Sequence, residues 1–279
     1  MQWGNSTNRA AIGGHLGSDM MKLNNRQIEY GFNYYFKDES NETKRVIEPS
    51  EYNGEERLTI NCTQLGDIFT PQYKTQKDKK RVVLEWCEFF RQNPTAFTEL
   101  HFGTRMPQVL FDAVCCQERL KRLEIKWGVY KDLSAVENLT NIELLHIGSG
   151  AGVESIKPLS KLKKIIALSV ENFQKITNYD DLSELTTLES LSIEGDGFGP
   201  KYIKIDNIDF INRMTQLRFF RLLTERLQNK DYSPILSLTN VEHLTLSSTK
   251  EVSKLYDEFL KLPKLKWGLI KTKPELYEK

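Results

Sequence analysis

Between Leu120 and Asn141 the chain reads LKRLEIKWGVYKDLSAVENLTN, with large apolar residues at Leu120, Leu123 and Ile125 and again at Leu133, Val136 and Leu139. The first trio has the close spacing of a short strand. The second, at intervals of three, forms one side of a helical turn. The pattern apolar-x-x-apolar-x-apolar begins at Phe97, Leu120, Ile142, Ile165, Leu188, Leu217 and Val241, with a degenerate copy at Leu265. Successive starts therefore differ by 23, 22, 23, 23, 29, 24 and 24 residues, within the range of about 20–29 that marks stacked strand-and-turn units. The turn trio recurs in step with the strand, as Ile156/Leu159/Leu162, Tyr179/Leu182/Leu185, Ile208/Ile211/Met214, Tyr232/Ile235/Leu238 and Tyr256/Phe259/Leu262.

The segments DLSAVENLTN, PLSKLKK, DLSELTT and ILSLTN resemble the roughly 22-residue class of leucine-rich repeat found in bacterial internalins and in a eukaryotic phosphatase-regulating subunit. The resemblance covers about residues 97–270. It implies an α/β solenoid with about eight short parallel strands on its concave face, and a bacterial protein that works by binding another protein. One departure is consistent: the position after the strand, usually Asn in that family, is Gly128, Gly150 and Phe173 in successive copies. The asparagine ladder is then mostly absent, and the turn backbone must be satisfied in other ways.

A solenoid exposes its core at each end unless something covers it. In KKRVVLEWCEFFRQN, Val82, Val83, Trp86, Phe89 and Phe90 fall at helical spacing before Asn93-Pro94, which predicts a capping helix within 79–96. Upstream, Ile28, Tyr30, Phe32, Tyr34 and Phe36 alternate with other residues, as do Leu58, Ile60 and Cys62. This predicts strands that pair as a small antiparallel sheet in an N-terminal extension or β module, 1–78. Residues 1–25 have little periodicity and are expected to be partly disordered. Together these segments make an N-terminal α+β cap; 97–270 is the solenoid and 271–279 a C-terminal tail.

In each repeat strand positions 1, 4 and 6 point inward, which leaves 3 and 5 on the concave side with 7 beyond them. Position 3 reads Glu99, Arg122, Leu144, Ala167, Ser190, Phe219, His243 and Trp267; position 5 reads His101, Glu124, His146, Ser169, Ser192, Arg221, Thr245 and Leu269. This surface has a charged N-terminal third, a small-residue centre and an aromatic C-terminal third. The partner-binding candidates are Arg122, Glu124, Lys126, Trp127, His146, Phe219, Arg221, His243 and Trp267, because exposed aromatics and arginines supply much of the energy of interfaces. The competing reading of the aromatic end is that the tail, with Leu276 and Tyr277, folds back over Trp267.

His101, Glu124 and His146 share one column on three rungs, so the histidines stand roughly 10 Å apart. A single metal ion would need both rings to lean inward, and no fourth ligand is evident. A metal-binding or hydrolytic protein using this column is the first alternative, and an exported host-interaction protein is the second. The glycine-rich EGDGFGPKYIK, residues 194–204, lacks Walker spacing and reads as a loop at the rim. No G-x-S-x-G occurs either, so the expectation is no enzyme, no cofactor and no metal.

Composition narrows the partner. Among 279 residues, 39 Lys plus Arg balance 38 Asp plus Glu, which gives no general reason to seek nucleic acid or an anionic membrane. The start MQWGNSTNRAAIGGHLGSDM lacks the basic and apolar regions of a secretory signal. The four cysteines, Cys62, Cys87, Cys115 and Cys116, show no zinc spacing and are expected to be reduced thiols, some of them in the core. A cytoplasmic monomer follows from these expectations.

Overall fold

A computed structural model describes residues 22–32, 43–197, 199 and 201–278. Nine strands form one parallel sheet in chain order: β1 (Lys44–Val46), β2 (Arg57–Ile60), β3 (Glu99–Met106), β4 (Arg122–Gly128), β5 (Leu144–Ile147), β6 (Ala167–Glu171), β7 (Ser190–Glu194), β9 (Phe219–Leu223) and β11 (His243–Leu246). Two further strands, β8 (Ile203–Ile205) and β10 (Glu225–Leu227), pair in parallel as a small side sheet. They lie in and just after the longest repeat, whose extra residues supply β8. A bridge from His243 to Trp267 adds a last rung.

Behind five of the strands run one-and-a-half-turn 3-10 helices: 134–138, 157–161, 180–184, 209–213 and 233–237. The 3-10 geometry eclipses residues three apart, which is why trios such as Leu133/Val136/Leu139 and Ile156/Leu159/Leu162 all bury together. Facing them, Leu123, Ile125, Leu145, Ile147, Leu168, Val170, Leu191, Ile193, Phe220, Leu222, Leu244 and Leu246 are at most 1% exposed. The molecule is therefore a leucine-rich-repeat solenoid. Where the asparagine ladder is missing, aromatic rings fill the turns: Tyr130 and Phe173 are buried, and Tyr130 Oη donates to Gly148 O (3.1 Å). Glycine is required beside them, since a Cβ on Gly128 would stand 2.1 Å from the Tyr130 ring and one on Gly150 2.2 Å from that of Phe173.

The N-terminal half departs from the sequence expectation. Leu58 and Ile60 do lie on a strand, but β2 pairs in parallel with β1 and β3, so residues 43–60 extend the solenoid sheet to nine strands instead of forming a separate antiparallel module. Ile28 and Phe32 do not sit on a strand. Residues Asn25–Tyr30 form a short helix, α1, with a capping box in which Asn24 Oδ1 accepts from Gln27 N and Gln27 Oε1 accepts from Asn24 N. Their apparent alternation was misleading because Ile28 and Phe32, four apart, are buried while Tyr30 between them is exposed, which is helical periodicity. Tyr34, Phe36, Phe198 and residues 1–21 lie outside the described residues.

Helix α2 (Gln76–Gln92) starts at a Thr75/Asp78 capping box and buries Val82, Trp86, Cys87 and Phe90. It connects β2 to β3 and packs on α3 (Gln108–Val114). At the other end a short helix at Leu269–Thr272 follows Gly268, whose φ of 92° and close approach to Leu244 O exclude a side chain. Tyr277 closes that end, buried, stacked on Tyr256 and donating to Leu246 O (2.6 Å). Cys62, Cys87 and Cys115 are buried, Cys116 is exposed, and all four are free thiols. Among the described residues no helix is long and apolar enough to cross a membrane.

Candidate binding face

Strand register aligns both concave columns. Position 3 runs Arg57, Glu99, Arg122, Leu144, Ala167, Ser190, Phe219, His243, and position 5 runs Thr59, His101, Glu124, His146, Ser169, Ser192, Arg221, Thr245. Arg57 and Thr59 head these columns because β2 belongs to the sheet. The frame anchored at Phe97 did not reach them.

Much of this face is already occupied by the chain's own N-terminal segment. Leu23, Ile28 and Phe32 pack into a second apolar cluster with Leu144, Ile166, Ala167 and Phe219, and Trp267 lies against it. Three polar contacts run from the face to backbone carbonyls of the segment. Arg218 Nη1 donates to Leu23 O (3.0 Å), His243 Nδ1 to Glu29 O (2.9 Å) and Arg122 Nη2 to Phe32 O (3.0 Å). Both arginines are braced, Arg218 by Glu189 and Glu242 and Arg122 by Glu124. Since a carbonyl only accepts, His243 carries its proton on Nδ1, and Nε2 accepts from Thr245 Oγ1 (2.8 Å). Burial, helped by the Arg221 cation, holds His243 down to about 3, so the ring is neutral at pH 7. Of the aromatic column, Phe219 is 1% and His243 4% exposed, their rings stacked with centroids 4.2 Å apart. Its cover is α1 with its flanks, while Tyr277 of the tail seals the last rung. The Asn24-x-x-Gln27 signature was the legible sign of this helix; nothing in sequence told where it would dock.

The charged end is a network of ion pairs. Glu99 meets Arg57 Nε at 3.0 Å and His101 Nε2 at 2.5 Å, while His101 Nδ1 stands 3.4 Å from Glu124 Oε2. Burial would depress the His101 imidazolium, yet the hydrogen bonds to Glu124 and Glu99 raise it above its ordinary value. Burial likewise opposes the Glu124 charge, but His101 and Arg122 hold its carboxyl down at about 2. His146, one rung on, is depressed by burial and pairs through Nδ1 with Ser169 Oγ at 3.0 Å. The three residues do share a column, but both nitrogens of His101 face carboxylates. Among the described residues no group of three or more His, Cys, Asp or Glu is placed to hold a metal ion.

Trp127, near the end of β4, is 38% exposed and Val129, just past it, 54%, and Lys126 Nζ lies 4.7 Å from the Trp127 ring centroid. Arg221 pairs with Glu194 (3.4 Å), which also accepts from Ser192 Oγ (2.6 Å). Glu171, paired with Glu194 on the next rung, is pushed up to about 7 by burial and by the charges of Glu194 and Asp196. A carboxyl raised in the folded state contributes stability that is fully present below its ordinary range near 4.5 and is lost as pH rises toward 7. Glu171→Gln should therefore raise stability by about 1–2 kcal/mol at pH 8, after allowance for partial exposure, and change nothing at pH 4. Thermal melts at the two pH values check this, and equal shifts at both would contradict it.

No family model and no curated protein matches this chain. Among solved structures it is similar to an internalin of Listeria monocytogenes, at 18% identity and a TM-score of 0.39 over 62% of this chain and 53% of that one. It is also similar to a leucine-rich-repeat protein of Leptospira interrogans, at 14% identity and a TM-score of 0.40 over 80% of this chain and 75% of that one. The chain thus spans about half the length of the internalin. What makes it a leucine-rich-repeat solenoid is its own repeat, in which parallel strands about 23 residues apart alternate with 3-10 turns around one apolar core.

Proposed function

We propose that this chain is a non-enzymatic protein-interaction module that grips a short polypeptide segment on its concave face. The observation that carries this reading is α1 itself: the face holds a foreign-looking stretch of backbone by an apolar floor and by donors aimed at main-chain carbonyls. Donors to carbonyls recognise a polypeptide whatever its side chains, and the apolar floor selects among segments. The exposed pair Lys126 and Trp127 at the end of β4, with the half-buried Arg221, supplies further contact surface beyond that apolar floor. Neither His101 nor Glu124 serves as base or ligand in this reading; they tie adjacent rungs together.

Selection from a random peptide library on the full chain tests it. Ligands that use this face should bind Trp127→Ala or Arg221→Ala at least tenfold more weakly, about 1.4 kcal/mol, with the melting temperature nearly unchanged. Selected ligands that keep full affinity for both variants would move the binding site elsewhere.

A further inference from the structure

Residues 22–32 resemble a bound ligand more than a piece of the core. Their apolar residues join a cluster separate from the main one between sheet and turns. The three donors that hold them all reach carbonyl oxygens, and one side stays outward, with Lys22, Asn24, Asn25, Arg26 and Tyr30 exposed. Only three side chains are buried, Leu23, Ile28 and Phe32, at the first, sixth and tenth positions of the run that begins at Leu23. The donors are preorganised by the solenoid: Arg218 is fixed by Glu189 and Glu242, Arg122 by Glu124, and His243 by Thr245. A seat whose walls are set by other elements persists when its occupant leaves.

We infer that α1 is an internal stand-in for the partner, and that the partner presents a short amphipathic helix with apolar side chains at the same spacing, which displaces α1 from the face. This rests on the reading of the concave face as the binding site and adds its regulation and the chemistry of its ligand. An intramolecular occupant lowers the apparent affinity for any competitor by the fraction of molecules in which it is seated. Loosening α1 is therefore equivalent to activating the module. The argument for a helix over an extended strand is geometric. The sheet edge is not involved; of the carbonyls engaged, Glu29 O lies within the capped helix and Leu23 O and Phe32 O lie just outside its two caps, Asn24 and Gly31, a spacing of six and three residues that no strand ladder repeats.

The test uses the full chain and a fluorescently labelled peptide of residues 22–32. In Ile28→Glu the resident segment loses its central apolar anchor, and the wild-type peptide should then bind at least tenfold more tightly than it binds the wild-type chain. Equal binding to both chains, or to neither, overturns the inference. Hydrogen exchange on the wild-type chain gives an independent reading should the variant fold poorly. The Ile28 and Gly31 amides, bonded to Asn24 O and Gln27 O, should exchange by local opening at least a hundredfold faster than core amides such as that of Leu191. If they exchange only as fast as the core, α1 is integral to the fold and the inference fails, while the Trp127→Ala comparison still decides the binding face by itself. A wild-type chain that is dimeric in light scattering, and monomeric as Ile28→Glu, would make a second copy's α1 the occupant and equally overturn it.

Discussion

Leu191→Asp is expected to leave the chain without a cooperative thermal transition. Leu191 is fully buried on β7, at the inward fourth position of the repeat that begins at Leu188, inside the sheet with Leu168 and Phe220 as its rung neighbours. The substitution removes apolar burial worth about 1.5–3 kcal/mol and places a carboxylate where no partner stands, a further cost of several kcal/mol. The sum rivals a typical total stability of about 5–15 kcal/mol. Because each rung of a solenoid is supported only by the rungs beside it, the damage spreads to β6 and β9. Val129→Asp is the matched control, an apolar-to-acid change at a half-exposed site, and should shift stability by no more than about 0.5 kcal/mol. Circular dichroism melts of the two variants decide the matter; similar losses would mean the rung register is wrong.

The second large effect is expected at Trp86. Its ring is fully buried on α2, stacks on Phe90 with centroids 5.4 Å apart, and donates from Nε1 to Ile47 O at 2.7 Å. That bond ties α2 to the segment leaving β1. Trp86→Ala should cost about 3–5 kcal/mol through the cavity it opens, and it strands a carbonyl besides. Trp86→Phe keeps the stacked ring but loses the bond, and should cost about 1–3 kcal/mol, less than Ala does. Urea midpoints measure both. A loss below about 1 kcal/mol for Trp86→Ala would show that α2 is not needed to hold the first rungs.

Much of the solenoid was legible because the signal repeats. One ambiguous strand at Leu120 becomes certain when Ile142, Ile165 and Leu188 follow at the same interval, and the spacing of three in the turns matches the 3-10 helices found. Reading the columns at positions 3 and 5 needed only that register, and the pairing reproduces it rung for rung. Where copies diverge, the reading failed. β2 stands 42 residues from β3 at matched positions, Arg57 against Glu99, because α2 replaces the short turn, and β1 only 14 from β2, Lys44 against Leu58, so no fixed period survives there. The exposure of the concave face failed for a different reason. Phe219 and His243 do face away from the core as their positions require, but burial also depends on what docks on them, and residues 22–32 contact them from far along the chain, Glu29 to His243 across 214 residues. Local pattern carries no information on such a contact; only the carbonyl-seeking geometry of Arg122 and Arg218 could have hinted at it.

The first rung has a bearing on how these molecules behave in a crowd. β1 pairs on one side with β2, and no other described strand pairs with it, and an unpaired parallel edge is a template on which another chain can add. The sequence of that edge is Lys44-Arg45-Val46, with both cations exposed and only Val46 buried. A second copy approaching edge to edge would bring the same two cations against them. With Lys44 paired to Glu55 at 2.7 Å and Arg45 exposed beside it, the edge is guarded by charge instead of by a covering strand. Salt weakens such a guard, because screening shortens the reach of exposed charges to about 3 Å at 1 M. Concentrated salt is thus the condition in which two copies of this solenoid would first pair edge to edge.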